Sequence, residues 1–161
     1  MSLTDLSSVL WRSRELLELL LFKLEEEQLI LAAGRNRWLG HATREVEVVL
    51  DQMRQTEIAR AAYSQGAAVE LGLDPEASLG ELADAAPAPW SDLLRQHRKA
   101  FLTLTAEISG MAGANRELLT AGQRAARDTM LVFEGNVETY GRQGQTVAGG
   151  ARRPSLVDEA I

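Results

Sequence analysis

A chain of 161 residues is long enough for one domain with a real core and too short for two comfortable ones. Hydrophobic residues at 45% and charged residues at 25% are ordinary for a folded protein, while aromatics at 5% amid abundant Ala, Leu, Glu and Arg favour helices. The formal charge of −6 argues against non-specific attraction to nucleic acid, and the absence of cysteine excludes disulfides and thiolate metal sites.

The N-terminus carries Asp5 before any apolar run and has no basic segment, so no signal peptide is expected. The most apolar stretch, Leu16 to Leu24, is broken by Glu18 and Lys23 and is too short to span a bilayer. The expectation is a cytoplasmic protein with no direct membrane insertion.

A first helix is predicted over about 3–33, with Ser2 or Thr4 as its cap. Leu3, Leu6, Leu10, Leu17, Leu20, Leu24 and Leu31 follow the three-four spacing of a helical seam. Leu16, Leu19, Leu21 and Phe22 widen that seam, so more than one neighbour is expected to cover it. Gly34 reads as the stop.

A second helix is predicted over about 37–70, with Ala42, Val46, Val49, Met53, Thr56 and Tyr63 on one stripe. Asp74-Pro75 marks a break, because the residue before proline avoids the helical region. Ser78-Leu79-Gly80-Glu81 then reads as a capped helical turn over about 78–84.

Pro87-Ala88-Pro89-Trp90 opens the longest helix, about 88–139, proline being tolerated in a first turn. Its seam runs Leu94, His97, Phe101, Leu104, Ile108, Met111, Asn115, Leu118, Gly122, Ala125 and Thr129. Roughly forty-five residues at about 1.5 Å each give a rod on the order of 70 Å. From Gly141 the glycines and polar residues return, so 141–161 reads as a flexible tail beside a helical domain over 1–140. A solvated tail is the simplest reading. The other is that Leu156, Val157 and Ile161 fold over an apolar groove. With no β pattern anywhere, the fold class is all-α: an elongated antiparallel three-helix bundle or coiled coil.

Catalytic and metal chemistry are not expected. Neither His41 nor His97 has the Glu-x-x-His spacing of helical di-iron sites, and His41 with Glu45 supplies only two ligands. His97, on the apolar seam, reads as a satisfied core or rim histidine. Glu25, Glu26 and Glu27 point in different directions on a helix and read as a solvated face. No phosphate-cradling loop or nucleophile elbow is present, so neither an enzyme nor a cofactor is expected.

What remains is surplus apolar surface. Beyond Asn115 a second stripe runs beside the seam: Leu119, Ala126, Phe133 and Tyr140 at seven-residue spacing, with Met130 and Val137 between. Either the other two helices cover this wider arc as core, or a partner does. Gly122, Ala125 and Ala126 would leave a groove for an incoming amphipathic helix, and the first two helices look shorter than the third. Asn115 itself reads as a buried amide that fixes helix register.

Several of these residues carry a family resemblance. They are the leucine-rich first helix ending in Glu25-Glu26-Glu27-Gln28, the break near Gly34, Leu79-Gly80-Glu81-Leu82-Ala83, and Asn115 with Leu118-Leu119. The most specific part is Tyr140-Gly141-x-x-Gly144-Gln145-Thr146, followed by Gly149-Gly150 and Arg152-Arg153. In these features the chain resembles the FlgN family, flagellar export chaperones for the hook-filament junction proteins, over nearly its whole length.

The resemblance implies a protein that binds the C-terminal amphipathic helices of FlgK and FlgL, prevents their premature assembly, and delivers them to the cytoplasmic domain of FlhA at the type III export gate. It implies client binding in the C-terminal helix, here Leu118, Leu119, Gly122, Ala126, Met130, Phe133 and Val137. By the family pattern gate docking falls to Tyr140, with Gly141 and Gly144. Reversible release at the gate suits micromolar to nanomolar affinity, roughly −8 to −12 kcal/mol. The segment from Gly66 to Pro89 is longer than in shorter members, and the end is acidic at Asp158-Glu159, so contacts there do not carry over. The alternative of another class is a coiled-coil scaffold or adaptor that self-associates through the same stripe.

Overall fold

The computed structural model describes residues 2–142, and their side chains as far as residue 135. These residues are helical, without strands: α1 (Ser2–Ala32), α2 (Asn36–Glu70), α3 (Leu79–Ala85) and α4 (Trp90–Arg142). The chain divides into two compact units, Met1–Asn115 and Arg116–Ile161, with α4 contributing to both. Gly141 and Arg142 still belong to α4; the rest of the expected tail lies outside the described residues.

Helix ends follow local chemistry. Thr4 sits inside α1 and caps nothing, because the helix already includes Ser2. The Ser2 hydroxyl instead donates to the Glu70 carboxylate at 2.6 Å. At the other end of α1, Gly34 adopts φ 66°, which lets the Arg35 amide donate to Ile30 O at 3.1 Å and the Gly34 amide to Leu31 O at 3.2 Å. That pair is a Schellman stop, and only a residue without Cβ enters it cheaply. Gly72, φ 71°, ends α2 through the same two bonds, Leu73 N to Ala68 O and Gly72 N to Val69 O. Ser78 and Glu81 form a reciprocal capping box at the start of α3, and that bonding holds the Glu81 carboxyl below its ordinary range.

Within the first unit, α1 and α2 run antiparallel: Ser2 meets Glu70, Lys23 meets Glu45 at 2.9 Å, and Glu27 meets Thr43 at 3.2 Å. The first part of α4 runs alongside α1 in the same direction, with His97 against Trp11 and Asn115 against Leu24. Two apolar clusters join the elements. One gathers Leu6, Val9 and Leu10 of α1, Ala67 and Ala68 of α2, Leu82 and Ala83 of α3, and Leu94 of α4. The other gathers Leu20, Leu24 and Val49, backed by Met53, Ile108 and Met111.

Three readings of the sequence need correction here. Leu19 and Phe22 widen the α1 seam but are exposed, so that stretch is not covered on most sides. Lys23 lies over the Phe22 ring at 5.5 Å, and its cation keeps the phenyl face at the wet edge. Tyr63 is 41% exposed, outside the buried stripe of α2. The triple glutamate is also more than a solvated face. Glu27 accepts from Thr43 of α2 through one carboxylate oxygen and from Asn115 of α4 through the other, at 3.1 Å.

His97 departs further from expectation. It is fully buried, yet neither ring nitrogen has a hydrogen-bond partner. Trp11 packs edge-on at 4.7 Å and Phe101 stacks at 6.1 Å, so both aromatic neighbours supply area and no acceptor. Burial, and secondarily the Arg14 guanidinium, lower its pKa to about 4. The ring is a neutral apolar filler.

Candidate partner-binding site

Burial along α4 changes character at one residue. As far as Asn115 the seam is sequestered: Leu94, His97 and Asn115 are buried, and Phe101, Leu104, Ile108 and Met111 are half-buried. Asn115, at 4% exposure, donates from Nδ2 to Leu24 O at 2.9 Å and to Glu27. Its Oδ1 is buried without a partner. An amide so placed penalises any slip of α4 along α1, because a one-residue shift would strand both donors.

In the second unit the same three-four spacing continues, but the side chains are open. Leu118 and Leu119 are each 37% exposed and Phe133 is 63% exposed; Gly122 and Ala126 are exposed, and Met130 is half-buried. Val137, Tyr140 and Gly141 lie where only the helical backbone is described, and Gly144 lies outside the described residues. A Cβ added at Gly122 would meet nothing within 4 Å. The small residues therefore make a shallow open strip on one helix, and among the described residues it lacks the second wall that a groove needs.

Helical geometry at about 100° per residue sorts these positions. Ala121, Val132, Ala125, Leu118, Gly122, Phe133, Ala126, Leu119 and Met130 occupy roughly half of the circumference, interrupted only by Thr129. Gln123, Arg116, Glu134, Arg127, Thr120, Arg124, Glu117 and Asp128 fill the other half, where Leu131 is the one large apolar residue. The spacing argument passed over Val132 and Leu131, which are 65% and 64% exposed. Val132 extends the apolar half, and the Met130-Leu131-Val132-Phe133 run signalled it.

Other candidate chemistry disperses. His41 is exposed, with Nδ1 2.6 Å from the Arg44 guanidinium, while Glu45 is engaged by Lys23. That ion pair raises the Lys23 pKa and lowers that of Glu45. Among the described residues no group of three or more His, Asp or Glu is placed to hold a metal ion, and no helix is long and apolar enough to cross a membrane.

Residues 1–148 match a protein-family model described as FlgN protein, which covers most of the chain. No curated protein and no solved structure matches. The chain belongs to the FlgN family, the flagellar export chaperones.

Proposed function

We propose that this protein is a cytoplasmic, non-enzymatic escort that holds the C-terminal amphipathic helices of the hook-filament junction proteins FlgK and FlgL. In this reading α1, α2 and the part of α4 as far as Asn115 pack as a three-helix bundle. Leu118, Leu119, Gly122, Ala126, Met130, Phe133 and Val137 take the client helix. Tyr140, with Gly141 and Gly144, meets the cytoplasmic domain of FlhA, which receives the complex at the type III export gate.

The observation that carries the proposal is the exposed apolar half of α4 beyond Asn115. Contiguous apolar surface of this kind costs solvation energy unless a partner covers it. A client helix with anchors at three-four spacing would bury Leu119 and Phe133 against its own apolar face, and so hide the surface through which clients self-associate. Calorimetry with C-terminal peptides of both junction proteins tests this. Phe133→Asp should abolish binding with helical content intact, and unchanged affinity would refute it.

The second reading is self-association of this chain through the same face. Exposure of Leu118, Leu119 and Phe133 is equally open to a second copy. Light scattering separates the two. A monomer or weak dimer that becomes one-to-one with client supports the escort, and a tight oligomer that ignores the peptide supports the scaffold.

A further inference from the structure

Residues 28–44 carry Arg35, Arg37 and Arg44 and no acid. The whole chain stands at −6, so setting this +3 aside leaves −9 on everything else. Acids are plentiful, and elsewhere in the first unit cations find them: Lys23, Arg54, Arg60 and Arg95 each meet a carboxylate. Among the described residues Arg35, Arg37 and Arg44 meet none. Side chains of α2 order two of them instead. The Arg37 guanidinium lies over the Trp38 ring at 5.0 Å, Trp38 tilts against His41 at 6.1 Å, and the Arg44 guanidinium donates to His41 Nδ1 at 2.6 Å. Two cations thus bracket two aromatic rings along one exposed side of α2, with the Trp38 indole 48% exposed.

We propose that this stack binds a short acidic segment of a protein partner. Arg37 and Arg44 lie seven residues apart on α2, about 10 Å along its axis, and each guanidinium can meet a carboxylate through two N–H donors. The matching segment carries two carboxylates at that separation, with an apolar or aromatic side chain between them to cover Trp38. Arginine and tryptophan are the residue types that concentrate binding energy at protein interfaces, and cations already held against rings have less freedom to lose. The surroundings select a short occupant. Glu27 reaches Thr43, the residue before Arg44, so the Glu25-Glu26-Glu27 run flanks the stack. A bilayer or polynucleotide extends far beyond the screening length of about 8 Å and would confront that run, whereas a short segment meets the arginines alone. The stack belongs to the first unit, and the inference does not rest on the function proposed above.

The probe is a fluorescein-labelled helical peptide with two Glu seven residues apart and a Phe midway. It is titrated with the full chain at physiological salt and read by anisotropy, while NMR follows the Trp38 indole N–H. Binding should shift that signal. Arg37→Gln with Arg44→Gln should weaken affinity about tenfold, and Trp38→Ala should weaken it too. Lys99→Gln, which removes an exposed charge from α4, should change nothing. A peptide of the same composition with its two Glu adjacent should bind about fivefold more weakly. All the substituted side chains are exposed, and circular dichroism checks that the fold is kept.

Unchanged affinity in the double arginine variant, or equal affinity for the adjacent-Glu peptide, would overturn the inference. So would phosphatidylglycerol vesicles or oligouridylate moving the Trp38 signal at lower charge concentration than the peptide, since the stack would then read an extended polyanion. A chain ending at Gly144 that binds the peptide about tenfold more tightly would give the stack to this chain's own Asp158-Glu159 end and overturn it as well. A Trp38 shift on concentrating the protein alone would assign it to a second copy, with the same consequence.

Discussion

His97 gives the sharpest test of how α4 lies against α1. In the folded protein its ring is neutral, sealed by Trp11, Arg14 and Phe101, with a pKa of about 4 against 6.5 for the unfolded chain. As pH falls below 6.5 the unfolded chain takes up a proton that the folded one refuses, so stability is lost across the window from 6.5 down to about 4. At about pH 4.5 two pH units of that window have been crossed, at about 1.4 kcal/mol each, and partial protonation of the folded ring so near its own pKa trims the sum to roughly 2.5 kcal/mol. His97→Phe keeps an aromatic filler and removes the titration. The stability difference between the two proteins should therefore change by roughly 2.5 kcal/mol in favour of the variant between pH 7 and about pH 4.5. Repacking sets the offset at neutral pH but cancels in that change, as do carboxylates common to both proteins. Urea denaturation followed by tryptophan fluorescence should register it as about a 1 M convergence or crossing of midpoints. Parallel pH profiles for the two proteins would refute the buried neutral ring and the α1–α4 contact at that level.

Other expectations are more local. Gly34→Ala, forced into φ 66° with open space around it, should destabilise by about 1 kcal/mol, whereas Gly110→Ala, helical and equally open, should stabilise by about 0.5–1 kcal/mol; thermal melts of both variants check the opposite signs. Ser78→Ala should cost about 1 kcal/mol and let the Glu81 carboxyl return to its ordinary range, which NMR titration reads directly. Tyr140→Ala should leave peptide affinity unchanged and reduce export of junction proteins, which a secretion assay measures.

Much of the first unit was legible because three-four leucine spacing, glycine stops and a capping box are all local signals. Leu6, Leu10, Leu17, Leu20 and Leu24 are buried as their spacing implies. Spacing does not say whether a neighbour exists, however. Leu94 and Leu118 occupy the same seam in sequence, yet one is buried and the other is 37% exposed. Bonds across long separations were equally hidden: no pattern ties Glu27 to both Thr43 and Asn115. The histidine misled for a different reason. A ring on an apolar seam is expected to find an acceptor, but the surrounding residues, Trp11 and Phe101, have none aimed at it. The exposed apolar face of α4 was visible as excess leucine, alanine and phenylalanine, and Val132 was missed because it flanks the heptad instead of sitting on it.

From Arg116 to Gly135 nearly every side chain of α4 faces water. A segment of about twenty residues with little lateral support holds its shape mainly through its own amide ladder, close to the shortest length that can do so unaided. Its backbone protons should trade with deuterated solvent within seconds, while those between Leu94 and Asn115 await a wider opening. On the function proposed here the receiving surface is itself soft, and ordering it would consume part of whatever a cargo contributes on arrival. Such a grip would be firm enough to hold and loose enough to surrender.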